Sequence, residues 1–387
     1  MTKVTVAVLG ACGWMGKLHS NIYQSMPRQF PDIKVNVDLK WLIGNSQNSV
    51  SEAAVKMGIA HFGTAWQDAV RDPQVDLIDI CLPDDLHYEV AKAALLAKKH
   101  VYCEKPFTNK LEEARELRDL AASNGVITRV GHNFPINPVH RLAKEFISSG
   151  EIGEITMFKC EQHVDSLADP RAPHIWRLDG ARAPTGIVGD TGSHVFSFID
   201  YLIGEIIELT ASCPVIHNAR PIIKEAKYGN LSVAADDAEM RDVTNPDAGF
   251  VIMRAKSGAI GTASFSRIAT GRRFVQRYEI YGTKGAIAYD YDQLTRLQLY
   301  KSSDPPAQQG FRAIDIGPAD PDYARFLPLP NFGLGFNEIK ATEISQVIRS
   351  IVEKKPAWPT FDDATRLVSI VGACLASSAS KRWEPVN

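Results

Sequence analysis

No run of apolar residues in this 387-residue chain is long enough to span a bilayer. At its N-terminus there is no basic segment followed by an apolar stretch and a small-residue cleavage site. The expectation is therefore neither a secreted precursor nor a membrane protein, and a cytoplasmic location. Charge of one sign is also missing: 43 Lys and Arg stand against 45 Asp and Glu, a net of -2, which gives no case for nucleic acid or an anionic membrane as partner. Cysteine is sparse. The six, at 12, 81, 103, 160, 213 and 374, form no CxxC pair, so neither a zinc knuckle nor a disulfide framework is expected. The histidines are scattered without HxH or HExxH spacing, and no metal is expected. Internal repeats and low-complexity tails are lacking too. What is present is an ordinary globular balance, 45% hydrophobic and 23% charged, at a length that favours two domains.

The stretch that organises the chain comes first. Val4 to Leu9 reads as a buried strand, Gly10-Ala11-Cys12-Gly13-Trp14-Met15-Gly16 as a turn, and the residues from Lys17 as a helix. The glycines fall at the first, fourth and seventh places, where the standard dinucleotide fingerprint has them at first, third and sixth. The physical need is similar. A tight turn lets backbone N–H groups and a helix N-terminus face a pyrophosphate, which a side chain would hold off. A glycine-rich turn with no ligand is the plain alternative.

Strand and helix patterns then alternate. Val37–Ile43 reads as a second strand, and Gly44-Asn45-Ser46-Gln47-Asn48 follows it. An acid there would accept from a ribose 2′-hydroxyl and an arginine would hold a 2′-phosphate; neither is present. Asn45 and Ser46 can serve either ribose, which leaves NAD and NADP both open. Residues 75–82 read as a buried strand ended by Pro83, and 101–103 as another ended by Glu104-Lys105-Pro106. The rhythm predicts a doubly wound parallel sheet over 1–132. Beyond it, a helix at 138–148 leads into strand-like runs at 154–163, 206–213, 249–255, 259–266, 275–281, 286–291 and 295–300, with glycines at hairpin positions. This predicts an α+β domain over 133–387 with a mostly antiparallel sheet. The Pro-, Gly- and Asp-rich segment 301–335 reads as a surface excursion or flap, and helices near 337–353 and 362–380 close the chain.

Two places carry candidate chemistry. Lys105 lies just past the C-terminal edge of a parallel strand, where open α/β sheets hold their ligands, and Pro106 restricts its backbone. A fixed ammonium there can donate to a hydroxyl and stabilise an alkoxide; a solvated Glu104–Lys105 pair is the alternative. In Gly189-Asp190-Thr191-Gly192-Ser193-His194, the i,i+4 spacing of Asp190 and His194 in a first helical turn puts both side chains on one face. A carboxylate beside an imidazole orients it and raises its basicity, as a general base requires. Against this, Asp190 can be a simple helix cap and His194 a polar core residue. His132, Asn133, Trp176, Arg177, His163, Asp165, His174 and Asn337 are further polar or stacking groups suited to a nicotinamide or a substrate.

Taken together, the glycine turn, Cys103-Glu104-Lys105-Pro106-Phe107 and Gly189-Asp190-Thr191-Gly192-Ser193-His194 resemble the oxidoreductase family that includes glucose–fructose oxidoreductase and inositol dehydrogenase. Asn133-Phe134-Pro135-Ile136-Asn137-Pro138, Gly150-Glu151-Ile152-Gly153-Glu154-Ile155 and Trp176-Arg177 extend the likeness over nearly the whole chain. The resemblance implies an N-terminal Rossmann domain that binds NAD or NADP, with NAD favoured. It also implies a C-terminal α+β domain whose open sheet forms a homodimer or homotetramer. By the same likeness Lys105, Asp190 and His194 are catalytic. The cofactor would meet Gly10, Cys12, Gly13, Trp14, Met15, Gly16, Asn45, Ser46, Leu82, Pro83, His87, Glu104, Lys105, Asn133, Trp176 and Arg177. The substrate would meet Lys105, His132, His163, Asp165, Asp190, His194 and Asn337. Pro135 departs from the arginine that many members carry there. Within the family, the length and the 301–335 segment look most like the inositol dehydrogenases and levoglucosan dehydrogenase, which implies a cyclic polyol, anhydrosugar or glycoside as substrate. An enzyme that retains its cofactor through an internal redox cycle and a non-catalytic sensor are the alternatives.

Overall fold

A computed structural model describes residues 2–223, 234 and 238–387. The described chain forms two units that do not follow the sequence linearly. The first comprises Met1–Ile136, Pro321–Pro328 and Leu334–Thr365. The second comprises Asn137–Asp320, Leu329–Gly333 and Arg366–Asn387.

In the first unit, strands β1 (Thr2–Leu9), β2 (Val35–Ile43), β3 (His61–Gly63), β4 (Leu77–Ile80), β5 (His100–Glu104) and β6 (Thr128–Gly131) alternate with helices α1 (Trp14–Gln29), α2 (Gln47–Met57), α3 (Trp66–Arg71), α4 (His87–Leu96) and α5 (Leu111–Asn124). The sheet is parallel throughout, in the order β3-β2-β1-β4-β5-β6. β4 and β6 are buried at every position, as strands covered on both faces must be. The strand order reverses between β1 and β4, so the crevice at their C-terminal ends is where such a sheet takes a ligand.

The second unit opens with α6 (Pro138–Ser148), β7 (Ile155–His163), α7 (Ser193–Leu202) and β8 (Ile206–Ser212). There follow β9 (Ala219–Pro221), β10 (Met240–Asp242), β11 (Ala248–Ala255), β12 (Ile260–Ser266), β13 (Val275–Gly282), β14 (Gly285–Asp290), β15 (Arg296–Lys301) and β16 (Arg312–Asp315). The chain ends with α8 (Pro321–Ala324), α9 (Phe336–Glu353), α10 (Phe361–Ser380) and β17 (Glu384–Pro385). Nine strands form one sheet in the order β16-β15-β14-β13-β7-β12-β11-β8-β17, antiparallel except for the β7–β12 pair. One face carries Phe158, Cys160, Ala263, Phe265, Val251 and Met253, all buried. The opposite face exposes Met157, Ile207, Phe250, Ile252 and Ile260.

The segment 301–335, expected as a surface excursion or flap, is largely exposed but anchored in two places. Its Arg312–Asp315 stretch extends the sheet by pairing with β15, and Tyr323 is fully buried in the first unit, where Phe326 packs against the core. Proline and glycine density marked the turns there but hid the strand and the aromatic anchor between them. Helix α9 lays Ala341, Ile344, Val347 and Ile348 into the same core as β1, β2 and α1.

Candidate active site

The three glycines of the first turn do three different jobs. Gly10 has φ +87, and a Cβ on it would lie 2.7 Å from the Cys81 carbonyl carbon, so the turn passes hard against the end of β4. A Cβ on Gly16 would lie 2.7 Å from Ala11 Cα, so this glycine lets α1 close onto the turn. Gly13 is the exposed N-cap of α1 and the nearest atom to its virtual Cβ is 3.4 Å away. No side chain caps α1 and no acid occupies its first turn. Its first amides are therefore left for an anion, which the helix dipole also favours. A dinucleotide pyrophosphate fits this cradle.

Around it the expected cofactor residues divide. Trp14 is 71% exposed beside Gly13 and stacks on Phe336, ring centroids 5.3 Å apart. Met15 is half-buried on the first turn of α1. Cys12 turns its Sγ toward Gly44 and joins the core. Ser46 caps α2, accepting from the Ser49 amide at 3.5 Å, while Asn45 is exposed. Leu82 and Pro83 follow β4, half-buried. Both ring nitrogens of His87 face backbone carbonyls, Pro106 O at 2.8 Å and Leu82 O at 2.9 Å. His87 thus braces the Leu82 and Pro106 backbones against each other. Asn133 is buried and its Nδ2 has no hydrogen-bond partner among the described residues, which leaves a donor for a ligand.

Lys105 follows the last residue of β5 and is joined to Pro106 by a cis peptide bond. Beneath it lies a buried charge network that sequence reasoning missed. Glu104 accepts from the Lys105 amide at 3.2 Å and from Lys340 Nζ at 2.7 Å, and His19 Nε2 stands 3.4 Å away. Lys340 also reaches Glu343 at 2.7 Å, and Tyr102 donates to the same carboxylate at 2.6 Å. On the far side, Asp79 takes His19 Nδ1 at 2.9 Å and the Tyr23 hydroxyl at 2.9 Å. Burial works against the charged imidazole of His19, but the Asp79 charge and the bonds to Asp79 and Glu104 prevail and raise its pKa to about 9. Burial likewise opposes ionisation of Glu104, and the Lys340 and His19 charges hold it well below the usual carboxylate range. His132 goes the other way: burial first, then the Lys105 charge, lowers it to about 3. A signal was available in the sequence. Lys340 and Glu343 sit on the apolar stripe of α9 with Ile339, Ile344 and Val347, and Asp79 interrupts a wholly apolar strand.

His19, Asp79 and Cys81 bring three metal-type ligand atoms within 4.8 Å of one another. Their atoms are already engaged with each other, Cys81 Sγ standing 3.2 Å from His19 Nδ1, and burial pushes the thiol well up. That is hydrogen-bond chemistry, not a thiolate ligand set.

In the second unit the helical turn expected to carry Asp190 and His194 is not α-helical. Val188–Gly192 is a π-helical turn, and α7 begins after it at Ser193. Gly189 and Gly192 make it possible: a Cβ at 189 would lie 2.9 Å from Thr185 Cβ, and one at 192 would lie 2.9 Å from the Phe265 ring. π-turns of this kind concentrate at functional sites. Asp190 does not cap α7, whose N-cap is Gly192; its carboxylate stands 3.8 Å from Arg177 Nε. His194 is 7% exposed in the first turn of α7. Trp176 has the Arg177 guanidinium 4.4 Å and the Arg182 guanidinium 5.3 Å from its ring centre. Asn245 Nδ2 holds the Arg177 carbonyl at 2.8 Å, and Arg267, paired with Asp247 at 2.7 Å, backs Asn245 from behind.

His163 is not brought to this group. Register places it on the open face of the sheet with Met157, where the Ser266 and Ser264 hydroxyls stand 3.0 and 3.2 Å from its two nitrogens. Phe158 and Cys160 face the other way, and Cys160 Sγ meets the Val195 carbonyl of α7. Asp165 lies just beyond β7, and His174 Nε2 is 3.2 Å from the Asp242 carbonyl. Asn337 is exposed in the first turn of α9, in the first unit.

A phosphate cradle at a switch point and a lysine at the neighbouring strand end define a dinucleotide-dependent oxidoreductase. The oxidoreductase family with an NAD-binding Rossmann fold matches residues 4–132, and the GFO/IDH/MocA C-terminal domain matches residues 140–288. The chain belongs to this family. It is 31% identical over 386 residues to levoglucosan dehydrogenase of Pseudarthrobacter phenanthrenivorans, covering 100% of this chain and 99% of that one. It is 26% identical to inositol 2-dehydrogenase of Rhizobium meliloti, over 80% of each. Among solved structures, levoglucosan dehydrogenase in complex with NADH and levoglucosan superposes with a TM-score of 0.92 at 31% identity, over 100% of both chains. Among the described residues no helix is long and apolar enough to cross a membrane.

Proposed function

We propose that this oxidoreductase oxidises a secondary ring hydroxyl of a cyclic polyol or sugar, an inositol, anhydrosugar or glycoside, to the ketone. The observation that carries this reading is the intact set of Lys105, Asp190 and His194 in a chain alike end to end to levoglucosan dehydrogenase. Gly10, Gly13, Gly16 and the α1 N-terminus would hold the pyrophosphate, and the Asn133 amide would donate to the bound dinucleotide. A bound nicotinamide supplies the hydride acceptor. Lys105 donates to the reacting oxygen and stabilises the negative charge it acquires. His194 takes the hydroxyl proton, and Asp190 orients the imidazole and holds a neighbouring hydroxyl. Assembly is proposed through the open sheet face, where Met157, Phe250, Ile252 and Ile260 stand exposed.

The test is an absorbance screen at 340 nm, with NAD and NADP run separately against inositols, free aldoses, levoglucosan and simple glycosides. Reduction with at least one cyclic polyol or anhydrosugar is expected. Reduction only with acyclic alcohols, or with none, overturns the reading.

A further inference from the structure

We propose that Lys340, delivered by α9 from far along the chain, is a positioning residue for Lys105: its ammonium fixes the Glu104 carboxylate, and Glu104 fixes the Lys105 backbone. The inference rests on the catalytic reading of Lys105 for its effect on turnover, but not for its effect on the turn.

The geometry is a relay of single contacts. Lys340 Nζ meets Glu104 Oε1 at 2.7 Å, and Glu104 Oε2 accepts the Lys105 amide at 3.2 Å. The carboxyl also fills the space a side chain at 131 would need, since a Cβ on Gly131 would lie 2.8 Å from Glu104 Cδ. That leaves the carboxylate one place to sit, above β6, with the ammonium on one oxygen. His19 approaches the same oxygen at 3.4 Å, a longer and weaker contact than the ammonium makes at 2.7 Å. The Lys340 side chain is 1% exposed and shares an apolar stripe with Ile344 and Val347, a place where methionine would fit by volume. An ammonium buried there loses its hydration, and good partners only bring it back to about even with an apolar side chain. Stability alone therefore does not require a lysine at 340. A carboxylate that must hold a catalytic turn still does require a cation.

Three variants of the full chain separate the possibilities. In Lys340→Met, hydrogen exchange of the Lys105 amide is expected to accelerate at least about tenfold. With NAD and levoglucosan as probes, kcat is expected to fall at least about tenfold while KM for NAD holds. Lys340→Arg restores the charge and is expected to return exchange to within about threefold of wild type. Tyr102→Phe removes a hydroxyl that donates to Glu343 and accepts from Lys340 at 3.2 Å but does not touch Glu104; since the Lys340–Glu104 contact remains, Lys105 exchange is expected to stay unchanged although stability falls. Should Lys340→Met not fold, Lys340→Met with Glu343→Gln removes one charge of each sign and takes its place. Wild-type exchange at Lys105 in the methionine variant overturns the inference, as does equal acceleration in Tyr102→Phe. Faster exchange with undiminished turnover would instead keep the positioning role and remove Lys105 from catalysis.

Discussion

Gly16→Ala probes the cofactor cradle most directly, because the sign of its effect has to be worked out. Inside a helix, alanine is favoured over glycine by about 1 kcal/mol. Here the added carbon would lie 2.7 Å from Ala11 Cα and from the Gly10 carbonyl carbon, both backbone atoms that no rotamer can move aside. Ordinary carbon contacts lie at about 3.5–4.0 Å, so α1 and the turn must part by roughly 1 Å. Overpacking of that kind costs about 1–3 kcal/mol, which leaves a net loss of up to about 2 kcal/mol. The same displacement carries the α1 amides away from the pyrophosphate. Losing one hydrogen bond to a charged group costs about 1.5–3 kcal/mol, a rise in Kd of at least about tenfold. Gly58→Ala is the control: φ is +68 at the end of α2, but nothing lies within 4 Å of the new carbon. Backbone strain there costs about 1–2 kcal/mol of stability and should leave the cofactor untouched. Titration with NADH, followed by fluorescence, reads the difference. Wild-type NADH affinity in Gly16→Ala would refute the assignment of this turn to the pyrophosphate.

Other outcomes are expected from the same geometry. Lys105→Ala should lower kcat by at least about 100-fold with NADH affinity retained, as measured by steady-state kinetics beside direct titration; near-normal turnover removes the lysine from the mechanism. In His194→Ala, the limb of the pH–rate profile that belongs to the general base should vanish; its persistence assigns the base elsewhere. His140 is buried, which lowers its pKa to about 3 from an ordinary value of 6.5. Its neutral form accordingly stabilises the fold fully above pH 6.5, and that stability is lost as pH falls toward 3. At pH 5 the loss is about 2 kcal/mol, and the urea midpoint of His140→Gln should change less between pH 7 and 5 than that of wild type.

The elements that sequence pattern located well are those whose cause is local. Asn137 and Pro138 open α6 as N-cap and first residue, and the helix runs over the 138–148 span that its spacing predicts. Each of the seven strand-like runs between 154 and 300 became a strand to within a residue or so, because its apolar alternation is its own. The misses have distant causes. The π-turn at Val188–Gly192 packs Gly192 against Phe265 of β12, a neighbour that no local window weighs. The short ladder of β9 with β10 went unseen because three residues carry too little pattern. The direction of His163 is likewise not legible from its residue type: strand parity puts it on the face away from Cys160 and α7.

The charge network under Lys105 shows why one part of the site was legible and its support was not. Glu104-Lys105-Pro106 is contiguous, so its chemistry can be read at a glance. The groups that hold it come from α1, β4, β5, β6 and α9, and although their apolar settings mark some of them as buried, nothing in the sequence says that these elements meet. In space they balance: Asp79, Glu104 and Glu343 are anions, while His19, Lys340 and Arg129 are cations. Balance removes the main penalty of burying them, but it does not make them strongly stabilising, since apolar side chains of equal volume would do as well. Arg129 shows the slack, standing 3.9 Å from Glu343 with Nη1 unpartnered among the described residues. Direct hydrogen bonds nevertheless reach all three acids: Lys340 and Tyr102 meet Glu343 at 2.7 and 2.6 Å, Lys340 meets Glu104 at 2.7 Å, and His19 and Tyr23 meet Asp79 at 2.9 Å. Lys340 bonds two of the three, so the hold on Glu104 and the burial of Glu343 depend on the same ammonium, which ties the support of the Lys105 turn to a helix contributed from far along the chain.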